Sequence, residues 1–229
     1  MTQRDLDGWT IVFDLDGTLV ESHVDLVGTL NRMLVARGLP PAPIDSAASL
    51  IGGGARAMLR HGFERAGATW DEAHAPALFE AFLADYVQHI ADHSRAYPGV
   101  VATLERLAAR GAIVCVATNK RTDLSLLLLD RLDLTRRFAA VVGPDKVSAR
   151  KPSGAHLIEA VRMAGGDPAR AIMVGDAPPD VGAAKNAGLP CIVVSYGYTP
   201  IAPAELGGDV LIDRFGDLEA AIDGLVRQG

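Results

Sequence analysis

Aromatic side chains are scarce in this sequence: they make up 5% of its 229 residues, against 49% for hydrophobic residues as a whole. A core built from it must therefore rest on Ala, Val, Leu and Ile, the side chains of helix-on-sheet layers. Cysteine is scarcer. Cys115 and Cys191 both lie inside apolar runs, which excludes a disulfide framework and a thiolate metal site and reads as two buried core thiols. No run of Lys or Arg exceeds two residues, and 28 acids against 22 bases leave a net charge of −6, a balance that repels duplex nucleic acid. No apolar run approaches the ~20 residues that span a bilayer. The opening MTQRDLDGWT lacks the apolar segment of a signal peptide. The expectation is a cytoplasmic protein that binds neither nucleic acid nor membrane. Internal repeats, low-complexity tracts and heptads are absent as well, and nothing speaks for or against an oligomer.

Short apolar runs are what the chain has instead. Strands are predicted at Thr10–Phe13, Ala112–Ala117, Ala139–Val142, Ala171–Val174, Cys191–Val194 and Asp209–Ile212. Helix-period segments separate most of them: Val101–Arg110, Thr122–Leu132, Ser153–Ala164, Pro179–Ala187 and Asp217–Arg227. Gly111, Gly165 and Gly188 follow helical stretches as caps do. Alternation of this kind indicates an α/β fold of βαβ units with a mainly parallel sheet, its continuous apolar strands covered on both faces. Residues 20–95 break the alternation. They hold no convincing strand and read as helices Asp25–Arg37, Gly54–Ala66 and Glu72–His93, a small inserted helical domain. The expected division is a core of residues 1–19 and 96–229 and a helical insert of 20–95, with Pro98 and Gly99 turning the chain back.

In a parallel sheet the carboxyl ends of the strands form one rim, where ligands bind. After the first strand stand Asp14-Leu15-Asp16-Gly17-Thr18, and after the second Thr118-Asn119-Lys120. Lys151-Pro152 follows the third, and Gly175-Asp176 with Asp180 follows the fourth. Asp14, Asp16, Asp176, Asp180 and Lys151 sum formally to −3 if all ionise. Like charges about 4 Å apart repel by ~1 to 4 kcal/mol per pair at effective dielectrics of 80 to 20. A hard divalent cation relieves this, and oxygen donors without His or Cys favour Mg2+. Gly17 and the following backbone offer N–H groups to an anion. Alternate strand positions point the same way, so both acids of Asp14-x-Asp16 can face one ligand. An ionised Asp14 can attack phosphorus, while a protonated Asp16 gives its proton to the leaving alkoxide and takes one from water. Thr118 and the Asn119 backbone would hold phosphoryl oxygens, and Lys151 would neutralise their growing charge.

Asp14-Leu15-Asp16-Gly17-Thr18, Thr118, Lys151-Pro152 and Gly175-Asp176 with Asp180 together resemble, in order, the four motifs of the haloacid dehalogenase superfamily's phosphatases. DGTLVESHVDL, TNKRT and YGYTP are similar to the phosphoglycolate phosphatase-type subfamily. The resemblance implies a Rossmann-like core, a helical cap, a small phosphate ester as substrate and a covalent aspartyl-phosphate. It also implies Mg2+ held by the Asp14 carboxylate, the Asp16 backbone carbonyl and Asp176, with Asp180 beyond them or acting through water. Against the family's usual pattern, Glu21 replaces Asp, Ala177 often replaces Ser, GDAPPD adds two prolines, and Gly154 stands where KPxP has its second proline.

Weaker features have two readings each. The glycines of IGGGARAML could present N–H groups to an anion with Arg56 reaching a substrate carboxylate, or be a turn beside a surface arginine. Lys120 and Arg121 could contact substrate or cover the rim, the rim being slightly favoured. The six histidines show no ligand spacing and read as surface or cap-packing residues, and Trp9 and Trp70 as packing residues. LSLLLLD reads as a helix buried on most sides. The leading function is an Mg2+-dependent phosphomonoester hydrolase, best guess for 2-phosphoglycolate; sugar phosphates, nucleotides and pyrophosphate are the alternatives. A mutase, a dehalogenase and a phosphonate hydrolase fit less well, the last because residues 20–95 contain no lysine for a Schiff base. The rival from another class is a phospho-Asp signalling module of the receiver type. Asp16 and the helical insert argue against it.

Overall fold

A computed structural model describes residues 5–44, 51 and 54–227. Its first half runs β1 (Thr10–Phe13), β2 (Val20–Glu21), α1 (His23–Val35), α2 (Ala55–Arg65), α3 (Ala75–Gln88) and β3 (Arg95–Ala96). The second half runs α4 (Val100–Ala109), β4 (Ile113–Ala117), α5 (Thr122–Arg131), β5 (Ala140–Val142), α6 (Gly154–Met163) and β6 (Ala171–Gly175). Then come α7 (Pro178–Ala187), β7 (Cys191–Val194), β8 (Val210–Ile212) and α8 (Leu218–Val226).

Six strands form one parallel sheet in the order β5-β4-β1-β6-β7-β8. Strand residues of one parity, Val12, Cys115, Ala117, Met173 and Val193, pack with Leu157, Ala160 and Val161 of α6 and Val181, Ala183 and Ala184 of α7. The other parity faces the opposite layer, where the Phe13 and Phe215 rings stack 5.9 Å apart. Apolar strands covered on both faces are what a parallel sheet requires. The fold class is α/β and Rossmann-like, and both cysteines are buried in it, their thiols pushed up to about 12 by burial.

Two expectations are corrected here. Residues 20–95 were read as strand-free, yet β2 and β3 pair as a two-stranded ribbon. Two-residue strands carry too little periodicity to be read from sequence. The leucine-rich α5 is amphipathic rather than buried on most sides: Leu128 and Leu129 are buried, while Leu126 is 39% exposed.

By contacts the chain divides into two compact units, Met1–Val20 with Ala96–Gly229, and Glu21–Arg95. In the second unit α1, α2 and α3 pack together. Gly62 of α2 lies against Leu30 of α1, where a Cβ would come 2.5 Å from a leucine methyl. Arg32 and Asp85 pair α1 with α3. The buried Asp25 carboxylate accepts bonds from the Ser94 N–H at 2.7 Å and the Ser94 hydroxyl at 2.6 Å, closing the unit where the chain leaves it. Among the described residues no helix is long and apolar enough to cross a membrane.

Candidate active site

Register places the site. Phe13 lies level with Val116 on one side and Val174 on the other, and Ala117 lies level with Val142. The residues just beyond β1, β4 and β6 are Asp14, Thr118 and Asp176, so all three emerge at one rim. Backbone bonds continue past the strands: Asp14 N–H donates to Val174 O at 2.9 Å and Thr118 N–H to Val142 O at 3.1 Å.

Oxygen atoms of Asp14, Asp176 and Asp180 all lie within 4.8 Å of one another. Lys151, 2% exposed, bridges two of them, with Nζ 2.8 Å from Asp14 Oδ1 and 2.7 Å from Asp180 Oδ1. The Asp14 contact is a buried ion pair at the edge of the acid cluster. Burial pushes the Asp14 carboxyl up to about 6; Lys151 pulls it down and Asp180 pushes it further up. Asp176 is raised well above the ordinary carboxylate range, first by burial and then by the charges of Asp180 and Asp14. Burial alone would lower Lys151, but the two carboxylates outweigh it and hold the ammonium above the usual lysine range. Three clustered acids around one lysine, with only oxygen donors and with Asp14 and Asp176 raised, fit a hard cation such as Mg2+.

Asp176 and Asp180 are held from behind. Asp176 accepts from the Thr18 hydroxyl at 2.8 Å and the Tyr198 N–H at 2.7 Å. Asp180, third residue of α7, accepts at Oδ2 from the N–H groups of Asp176 (3.1 Å) and Ala177 (3.0 Å), a first-turn acid bonding the residues before its own helix. Gly17 has φ 89°, and a Cβ there would come 2.5 Å from Asp176 Oδ2. The Gly17 N–H, expected to face an anion, instead donates to Val20 O at 2.9 Å, and the Thr18 hydroxyl is taken by Asp176. Both residues shape the acid cluster through these contacts.

Asp16 is not part of the carboxylate cluster. Its two oxygens each lie 3.1 Å from Lys120 Nζ, whose side chain is only 8% exposed. Lys120 therefore belongs inside the site, where the sequence suggested a rim cover. Asn119 Nδ2 donates to Lys151 O at 3.1 Å, and the Thr118 hydroxyl accepts from the Lys120 N–H at 3.2 Å. Arg56 lies in the helical unit, its guanidinium 5.0 Å from the centre of the Phe79 ring. Gly54 precedes α2 with φ 83°, whereas Gly52 and Gly53 lie outside the described residues.

Two departures from the familiar pattern find local reasons. Pro178 and Pro179 occupy the first positions of α7, where a missing N–H has no helical partner to lose. Gly154 opens α6 against α7: a Cβ there would come 2.6 Å from the Ala187 backbone nitrogen.

A model of haloacid dehalogenase-like hydrolases matches residues 11–194. The chain belongs to that family. A phosphoglycolate phosphatase of Caulobacter vibrioides is 48% identical to this hydrolase over 96% of the present chain and 93% of its own. An N-acetylmuramic acid 6-phosphate phosphatase of Pseudomonas aeruginosa is 33% identical over 93% and 94%. The crystal structure of a predicted phosphoglycolate phosphatase from Haemophilus somnus superposes with a TM-score of 0.85 at 30% identity, covering 94% of this hydrolase and 98% of that chain. This hydrolase is thus phosphoglycolate phosphatase-like along nearly its whole length.

The reading of His156 as a surface or cap-packing residue is corrected by the structure. His156 is fully buried beneath the rim, and burial, with the charge of Lys151 second, lowers it to about 4. Its only sequence signal is its position five residues after Lys151, in the first turn of α6. Tyr196 was quoted only as part of YGYTP. Its hydroxyl donates to Thr18 O at 3.1 Å and its ring lies 4.4 Å from that of Tyr97.

Proposed function

We propose that this hydrolase removes phosphate from a small phosphate monoester, with 2-phosphoglycolate as the preferred substrate, through an aspartyl-phosphate on Asp14. The observation that carries the reading is Asp14 itself. It is the least buried of the three clustered acids, its side chain 14% exposed. Asp14 attacks phosphorus as the bond to the substrate's alcohol oxygen breaks. Asp16 supplies that oxygen's proton. Water then attacks the phosphoryl group, Asp16 takes the water's proton, and Asp14 is released with inorganic phosphate. The roles need Asp14 ionised and Asp16 protonated once substrate is bound; Asp14 stands beside Lys151 and Asp16 beside Lys120. Thr118 and the Asn119 backbone hold phosphoryl oxygens, and Lys151 offsets their charge.

Asp14, Asp176 and the Asp16 backbone carbonyl would hold Mg2+, with Asp180 behind them; the ion would supply positive charge opposite the phosphoryl oxygens. Residues 20–95 are assigned the part of a cap that selects the leaving group, and Arg56 the part of a carboxylate partner. The curated relatives' names support 2-phosphoglycolate first and a sugar phosphate second. A phosphate-release panel over 2-phosphoglycolate, N-acetylmuramic acid 6-phosphate, other sugar phosphates, nucleotides and pyrophosphate tests this. The highest kcat/KM is expected on 2-phosphoglycolate. A tenfold or greater preference for any other compound overturns the substrate assignment, and turnover of none overturns the reading.

A further inference from the structure

Lys151 has an unusual positional problem. It lies nine residues past the end of β5, outside any helix or strand, so no ladder of backbone bonds sets its place. Yet its flexible stem must hold an ammonium between Asp14 and Asp180 at 2.8 and 2.7 Å. Its own peptide groups are pinned instead. Lys151 N–H donates to His156 Nδ1 at 3.2 Å, and Lys151 O accepts from Asn119 Nδ2 at 3.1 Å. His156 Nε2 reaches Val142 O at 3.1 Å, the same oxygen that accepts the Thr118 N–H at 3.1 Å. Thr118 and Asn119 are adjacent, so these four bonds close a ring: Thr118, Val142, His156, Lys151, Asn119 and back.

We propose that His156 is a positioning residue for phosphoryl recognition, fixing the Lys151 backbone to the same β4–β5 strand pair that places Thr118. The inference rests on the phosphoryl-binding reading given above. The ring bonds determine the tautomer: Nδ1 must accept from Lys151 and Nε2 must donate to Val142, which only a neutral imidazole does. No charged side chain could take this place, because one end of the bridge meets a donor and the other an acceptor. His156 is fully buried, and Thr118, Val142 and Lys151 are each 2% exposed, so water does not compete for these bonds. The lowered titration of the ring agrees with the arrangement. His156 bonds the Lys151 N–H and Val142 O and acts on phosphoryl recognition through Lys151.

A double-mutant cycle tests this. Wild type, His156→Leu, Lys151→Ala and the double variant are compared, each with Mg2+ present. The readouts are the affinity for inorganic phosphate by calorimetry, kcat and KM on the best substrate of the panel, and the melting temperature. His156→Leu should lower kcat roughly 10- to 100-fold, as small misplacements of catalytic groups do, and weaken phosphate binding with it. In the Lys151→Ala background the same change should alter phosphate affinity less than twofold. Equal losses in both backgrounds, or unchanged phosphate affinity and kcat in a folded His156→Leu variant, would overturn the proposal. Should that variant fail to fold, His156→Asn and His156→Gln decide. Asn keeps an acceptor near the Nδ1 position for Lys151 and Gln does not, so Asn should retain the higher kcat; equality or the reverse order contradicts the assignment. Phosphate binding is read without turnover. A wild type that binds phosphate but hydrolyses nothing would therefore sink the proposed function while leaving the ring testable.

Discussion

The carboxyl of Asp14 is pushed up to about 6 by burial while Lys151 pulls it towards ionisation, and Asp176 behind it is raised further. A metal binds the ionised forms, so on the proposed reading protons and Mg2+ would compete for this cluster. The sign follows directly. Below about 6 Asp14 takes up a proton in the metal-free fold, and the stabilisation Mg2+ confers should shrink. His156 complicates any absolute reading, because its folded value of about 4 lies below the ordinary 6.5. Its neutral burial stabilises the fold above that ordinary value and less so as pH falls towards 4, whereas the raised acids favour the fold on acidification. The two tendencies oppose each other in one pH window. The Mg2+-induced increment in melting temperature is therefore the quantity to follow: several degrees at pH 7.5 and markedly less at pH 5. An increment as large at pH 5 would show that Asp14 and Asp176 do not hold the ion. At this scale the meeting of Asp14, Asp176 and Asp180 at one rim was legible because acids that follow apolar strands break the pattern. His156 was not, since a histidine inside a helix looks the same whether it faces solvent or bridges two buried peptides.

At the scale of elements, the regular α/β alternation was legible because each strand is an unbroken apolar run bounded by turn residues. All six core strands begin and end within a residue of their expected places. β2 and β3 were not legible, being two residues each and paired only through contacts far apart in sequence. The α6–α7 contact is a further case. Gly154 reads as a lost proline in the sequence, but in the fold it lets the start of α6 approach the end of α7. A methyl group there meets the Asn186 carbonyl carbon and the Ala187 nitrogen at 2.6 Å. Backbone gives way less readily than a side-chain tip, so Gly154→Ala should destabilise by about 1 to 3 kcal/mol. Because α6 also carries His156, kcat should fall with it. Chemical denaturation with an unchanged slope and a lower midpoint would match; an unchanged midpoint would show that the helices part without cost.

For the whole molecule, the division into a sheet-bearing unit and a helical unit is visible in the contact pattern, with the chain passing between them at β2 and β3. The expectation of a helical insert at residues 20–95 came from the lack of a convincing strand-like run there. The sequence offered no code for substrate choice, because recognition of a small leaving group depends on shape contributed by residues that carry no chemistry of their own. The central claim is that acids from separate segments make Asp14 a nucleophile towards phosphorus. The most direct measurement is to mix the enzyme and Mg2+ with radiolabelled substrate, quench in acid within one turnover, and map the label by peptide mass. The account predicts phosphate on the peptide bearing Asp14, lost on treatment with base, and neither label nor turnover in Asp14→Asn. Phosphate released at full rate by Asp14→Asn, or label on any other residue, would contradict it.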